Sequence, residues 1–308
     1  MNKHTVKLYT NKEFIDNQTL TTSENRTYFK KDYESFFCGR LEELMHLVTY
    51  PISASRATTH CIYFLTDGTI CMTKGLTRYT VKKGDCLVVP AYHISSIEWV
   101  DPKTKGFFLS LSPNLLSGRF ISRNDVGSFK FLLPYSQSYF SGSTTNPFVA
   151  NLLNRLITEY GRFGFKRSKL VISYVVSFFY ELYYQDIANK PDPIDRYQNI
   201  TYQFKDLLFK HVARFHKTSE YANLIGITPN HLNKVLKRTT GKSPILWINE
   251  ALVLEAKVLL EETGLSISEI AAKMGIYEPS YFARLFKKIT DLTPTQYREG
   301  LNSTRDTP

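Results

Sequence analysis

A chain of 308 residues is long for one hydrophobic core and comfortable for two domains, which run at about 100–200 residues each. Its 43% hydrophobic and 22% charged residues exclude a disordered tail, a collagen-like rod and a small disulfide scaffold. The 39 Lys and Arg against 28 Asp and Glu leave a formal charge of +11, a surplus that suits a polyanion, either nucleic acid or an anionic membrane face.

The opening residues 1–7 lack the apolar core of a signal peptide. The most apolar run, residues 170–184, is interrupted by Ser173, Ser177 and Glu181 and is shorter than the about 20 residues that span a bilayer. The expectation is a cytoplasmic protein with no membrane partner. Cys38, Cys61, Cys71 and Cys86 form no C-x-x-C pair and have no histidine spaced to join them. They predict reduced, buried cysteines rather than a zinc site or a disulfide framework.

Residues 46–112 predict strands. The runs 61–65, 69–72, 79–81, 86–89 and 106–109 are rich in β-branched and aromatic residues, and Asp67-Gly68, Lys74-Gly75 and Lys83-Gly84 punctuate them. No helical period interrupts them, so an antiparallel sandwich or barrel is expected. From Asn146 the period changes. Phe148, Leu152, Leu153, Leu156, Ile157 and Tyr160 recur at three and four residues, and Leu170, Val171, Tyr174, Val175, Phe178, Phe179 and Leu182 mark a second helix. That helix is apolar nearly all round. It is expected to bury one side on the barrel and the other on a second subunit, giving a homodimer.

Two prolines in Lys190-Pro-Asp-Pro193 break the helical pattern and stiffen a linker. Beyond it the sequence contains a repeat. Ser219-Glu-Tyr-Ala-Asn-Leu-Ile-Gly-Ile227 matches Ser268-Glu-Ile-Ala-Ala-Lys-Met-Gly-Ile276, and one extra turn residue later Leu232, Leu236, Lys237, Pro244 and Trp247 match Phe282, Phe286, Lys287, Pro294 and Tyr297. Each copy predicts a short helix, a glycine turn and a second helix. Ala222 and Ala271 admit a close crossing, Gly226 and Gly275 supply a positive φ, and Pro229 and Pro279 fall in the first turn of the second helix. This is helix-turn-helix geometry, which sets one helix into the major groove.

Burying Leu232, Val235 and Leu236 turns Asn230, His231, Asn233, Lys234, Lys237 and Arg238 outward. Burying Phe282, Leu285, Phe286 and Ile289 turns Ser280, Tyr281, Ala283, Arg284, Lys287 and Lys288 outward. Groups early in such helices reach base edges and later basic ones meet phosphates. Net charge does not carry this inference, because residues 201–300 hold 14 Lys and Arg against 10 Asp and Glu. The clustering on two helices does.

On these residues the chain resembles the AraC/XylS family of bacterial transcription regulators, most closely through Ser266–Lys288 and Thr293–Arg298. The resemblance implies two helix-turn-helix units, at about 218–239 and 267–289, joined by a linker helix over Pro244–Glu262. Base contacts carry over to Asn230, Asn233, Lys234, Ser280, Ala283 and Arg284. Two positions depart from the family pattern: Asp291 stands where glycine is common, and Ala251 where a basic residue often begins the linker helix. Tyr79–His93 resembles, more loosely, the family's cupin-like effector-binding barrel.

The implied architecture is an α+β two-domain chain. It comprises an antiparallel cupin-like β-barrel (1–145), a helical dimerisation segment (146–190), a linker (191–199) and an all-α DNA-binding domain (200–301). The expected partners are double-stranded promoter DNA, a second copy of the chain, RNA polymerase and a small-molecule effector whose contacts the sequence does not name. Two rivals stand beside this reading. One is a ligand-independent regulator whose barrel only dimerises. The other is a metal-dependent cupin enzyme fused to the DNA-binding domain, for which His60 and His93 are too few ligands. The sequence therefore predicts no catalytic residue, metal or cofactor.

Overall fold

The computed structural model describes residues 8–10, 33–116, 129–133, 138–142, 147–188, 196–262 and 264–305. The chain divides into two compact units, Leu8–Pro191 and Asp192–Pro308. Among the described residues the amino-terminal unit carries ten strands: β1 (Leu8–Tyr9), β2 (Phe36–Arg40), β3 (Ile52–Ala57), β4 (His60–Asp67), β5 (Thr69–Lys74), β6 (Thr77–Lys82), β7 (Cys86–Val89), β8 (Ile94–Val100), β9 (Lys105–Leu111) and β10 (Tyr139–Phe140). They form two five-stranded sheets, ordered β1-β3-β8-β5-β6 and β10-β7-β4-β9-β2.

Of the expected antiparallel sandwich or cupin-like barrel the strands form the sandwich, since the two sheets do not close into a barrel. Closure fails because each sheet keeps its own edges, and β6 blunts one of them with exposed Thr77, Arg78, Thr80 and Lys82. The pairing is antiparallel except at β1, which runs parallel to β3. Inside the sandwich Leu65, Leu87 and Val89 of one sheet meet Ile52, Ile70, Met72, Val81, Ile97 and Val100 of the other.

Helices α1 (Pro147–Phe163) and α2 (Ser168–Ala188) cover the opposite face of the second sheet. Ile62, Phe64, Phe107 and Leu109 there join Leu153, Leu156, Val175, Phe178 and Phe179 in one core. The Tyr160 hydroxyl donates to the Phe36 carbonyl at 2.8 Å, and Arg40 donates to Asn154 Oδ1 at 2.7 Å. Two sequence expectations change. Phe148 is exposed and Val149 takes its place in the core. The second flank of α2 is covered by its own chain, with Phe129 and Phe131 packed on Phe179. Its solvent stripe carries Ser173 and Ser177, whose hydroxyls donate to carbonyls one turn back.

The carboxy-terminal unit contains α3 (Arg196–His211), α4 (Thr218–Ile225), α5 (Pro229–Thr240), α6 (Pro244–Glu262), α7 (Ile267–Lys273), α8 (Pro279–Thr290) and α9 (Pro294–Arg305). The sequence repeat is a structural one. Glu220 caps the start of α4 by accepting from the His216 and Lys217 amides, and Glu269 does so at α7 by accepting from the Ser266 amide. At the turns, Ile227 N–H donates to the Ala222 carbonyl at 3.0 Å and Ile276 N–H to the Ala271 carbonyl at 2.9 Å. The glycines between hold φ of +78° and +68°, which closes the helix with a left-handed residue. Asp291 takes the same role after α8 that Gly241 takes after α5, at φ +63° and +72°. Asp tolerates that region, so this departure from the family pattern leaves the turn intact.

The two turn glycines differ in surroundings. A Cβ on Gly226 would meet open space, whereas one on Gly275 would lie 2.8 Å from the Ala213 carbonyl oxygen and 3.0 Å from the His216 ring. Gly226→Ala should therefore cost only left-handed strain, about 1–2 kcal/mol, and Gly275→Ala measurably more. Urea unfolding followed through Trp247 in a Trp99→Phe background checks this, and equal losses would contradict it.

Candidate nucleic-acid interface

Each second helix is held by a buried stripe. Leu232, Val235 and Leu236 are fully buried on α5, and Phe282, Leu285 and Phe286 are buried on α8, while Ile289 is only half-buried. Apolar positions spaced three and four apart fix the roll of a helix, so the opposite side is set as well. On α5 Asn230, Lys234 and Lys237 point straight out. On α8 the matching residues are Ser280, Arg284 and Lys287. Asn233 and Ala283 lie half-buried on one flank.

The other flank is used differently. Tyr197, on α3, lies 6.2 Å from the His231 ring, and the Arg238 guanidinium sits 4.7 Å over the Tyr197 ring. His231 and Arg238 thus turn toward α3 rather than directly away from the domain. Tyr281 and Lys288 occupy the matching flank of α8, both exposed. The structure brings all twelve sequence-derived residues to the accessible side of their helices, and it separates eight that face outward or lie on the first flank from these four.

Three further residues belong to the surface and were not singled out by periodicity. Thr228 caps α5, its Oγ1 accepting from the His231 amide at 3.2 Å. Tyr277 is 91% exposed immediately before α8. Glu278 follows it, with Ser280 Oγ donating to its Oε1 at 2.7 Å. All three precede the helices, where a period of 3.6 residues carries no signal; the repeat alignment pairs Thr228 with Glu278.

Helix α6 serves both units. Trp247 near its start closes the first: its Nε1 donates to Thr240 Oγ1 at 3.0 Å, and Lys205 from α3 lies 4.6 Å over its ring. Burial beside Lys242 pushes the Lys205 pKa down. Further along α6, Lys257 lies 5.3 Å over Tyr297, which packs at 5.6 Å on Phe286 of the second unit. Ala251 is buried on α6, so its side of the helix faces the core.

A family model described as a helix-turn-helix domain matches residues 221–300. The regulatory protein PocR of Salmonella typhimurium is 27% identical over 128 residues, 40% of this chain and 41% of PocR. The arabinose operon regulatory protein of Escherichia coli is 29% identical over 79 residues, 26% of this chain and 27% of that protein. The carboxy-terminal domain of AraT, a response regulator from Geobacillus stearothermophilus, is 28% identical with a TM-score of 0.32, covering 34% of this chain and 88% of that structure. Residues 221–300 of the carboxy-terminal unit are thus a helix-turn-helix domain, similar to that of the arabinose operon regulatory protein. The chain spans less than half the length of these curated relatives.

The amino-terminal unit has its own polar features. Lys74 shares the inward side of β5 with Ile70 and Met72 and is 4% exposed. Its ammonium donates to Ser138 Oγ and lies 5.8 Å over the Tyr79 ring, which packs on Tyr139 at 5.5 Å. Tyr50, Tyr63, Tyr79 and Tyr139 all border this interior and remain half-buried. His93 is buried nearby; burial, then the charges of Lys74 and Arg56, push its pKa well down. His60, also buried, accepts from the Ala91 amide through Nδ1 at 3.0 Å, and burial lowers its pKa to about 4. That nitrogen is committed to the backbone. Among the described residues no three His, Cys, Asp or Glu side chains stand together as a metal site requires, and no helix is long and apolar enough to cross a membrane.

Proposed function

We propose that this protein is a sequence-specific DNA-binding transcription regulator of the AraC type, working in the cytoplasm on double-stranded promoter DNA beside RNA polymerase. The observation that carries the reading is the duplicated outward face. Asn230, Lys234 and Lys237 repeat as Ser280, Arg284 and Lys287 on two helices whose opposite sides are buried. A helix-turn-helix domain presents its second helix to the major groove, and polar groups early in that helix followed by lysines match base edges and then phosphates. We assign the chain no catalytic role.

The twelve residues Asn230, His231, Asn233, Lys234, Lys237, Arg238, Ser280, Tyr281, Ala283, Arg284, Lys287 and Lys288 form the proposed interface. Arg284 is the proposed guanine reader, since a guanidinium there reaches O6 and N7 in bidentate fashion, a contact worth about 1–3 kcal/mol of discrimination. Arg284→Ala should relax preference at one base position. Lys287→Ala should weaken all sequences alike and reduce the salt slope by about one unit. Isotherms on matched and mismatched duplexes at several salt concentrations test both. Equal weakening of specific and random DNA by Arg284→Ala would remove its role.

For the amino-terminal unit we propose binding of a small-molecule effector inside the sandwich, between the half-buried tyrosines and Lys74, and assembly as a homodimer. Phe148 and Tyr184, 72% and 63% exposed on α1 and α2, support the second point. A ligand at about 100 times its Kd adds ~2.7 kcal/mol of stability, so thermal melts across a metabolite library should reveal one, and Lys74→Met should lose the shift. Sedimentation should give a dimer. A dimer with no ligand response would favour the ligand-independent regulator, and a monomer at micromolar concentration would end the dimer proposal.

A further inference from the structure

The two units differ at the residue that opens the second helix. In the first, Thr228 caps α5 through its hydroxyl. At the matching place Glu278, with φ −106° and ψ 101°, makes no side-chain cap to α8. Its Oε1 instead accepts from Ser280 Oγ at 2.7 Å and lies 3.7 Å from Nη2 of Arg284. Both charged side chains point to solvent, 69% and 70% exposed.

Elementary physics gives little reason for a glutamate here. Ser, Thr, Asp and Asn cap helices better than other residues. An exposed ion pair at this distance contributes next to nothing to stability. On a surface facing DNA, a carboxylate also repels phosphates and lowers sequence-independent affinity. What it supplies is a strong acceptor beside the donors of Arg284. The major-groove edge of a G·C pair carries the complementary pattern, with guanine N7 and O6 as acceptors beside the N4 amine of cytosine as donor.

We propose that Glu278 is a specificity-determining residue whose carboxylate accepts from the N4 amine of the cytosine paired with the guanine that Arg284 reads. The Ser280 hydroxyl holds the carboxylate in place, and Arg284 and Glu278 read one base pair as a unit. This rests on the DNA-binding reading above and deepens it by naming the base pair and the second residue that selects it.

The test is selection from a randomised duplex library by the full-length protein, followed by isotherms on single-position variants of the enriched site. Glu278→Thr, which copies the first unit, should fold at least as stably as wild type because a cap is restored. It should bind random DNA more tightly, yet its preference for G·C at one position should fall by about 5- to 150-fold. Arg284→Ala should relax the same position, and the double variant should lose less than the sum of the two. Glu278→Gln should shift that position toward A·T, since an amide pairs with adenine. Wild-type discrimination at that position in both Glu278 variants would overturn the proposal. Failure of the wild type to enrich any sequence would instead defeat the DNA-binding reading itself.

Discussion

A recognition helix offers side chains to DNA only if its other side is locked to its own domain. Here one apolar stripe does the locking twice, as Leu232, Val235 and Leu236 and as Phe282, Leu285 and Phe286. Burial of such a side chain is worth about 1.5–3 kcal/mol, far more than an exposed ion pair such as Arg284–Glu278 on the opposite face of α8. The roll of each helix is therefore decided by hydrophobic burial, and the outward polar set follows from it. The left-handed glycines at 226 and 275 then set where each stripe meets the preceding helix.

The two units are not independent copies. Helix α6 ends one and begins the other, and a lysine over an aromatic ring recurs at each junction, Lys205 on Trp247 and Lys257 on Tyr297. Cation–π contacts of this kind contribute about 0.5–2 kcal/mol each. A shared helix of 19 residues is a stiff spacer at 1.5 Å per residue. The spacing of the two outward faces is in this way a property of one secondary-structure element rather than of a loop.

Much of this was legible in the residues. The repeat, its turns and its buried stripes all follow from periods of three and four and from glycine and proline placement, because those features are local. The roles of His231 and Arg238 were not legible, since their turn toward Tyr197 depends on a ring that lies more than thirty residues earlier. Glu278 was missed for a different reason: it precedes the helix and breaks the capping rule that would have flagged it. The strand pattern leaves sandwich and barrel open, and the choice between them is not local. Alternation shows which residues face inward, but sheet order depends on long-range pairing such as β4 with both β7 and β9. No local pattern reveals that Phe129 and Phe131 fold over α2, so from the sequence alone its apolar flank reads as a surface for a second subunit.

In the proposed binding mode the two helix-turn-helix units dock together in successive major grooves on one face of the duplex, about one helical turn apart. Inserting five base pairs between the two halves of the enriched site turns the second half to the opposite face, while inserting ten restores its direction but not its distance. Quantitative binding to these duplexes and to each isolated half is the most direct measurement. The account predicts that either insertion lowers affinity to that of the better half alone, because α6 cannot lengthen or twist to follow. Full affinity retained with five inserted base pairs would contradict it.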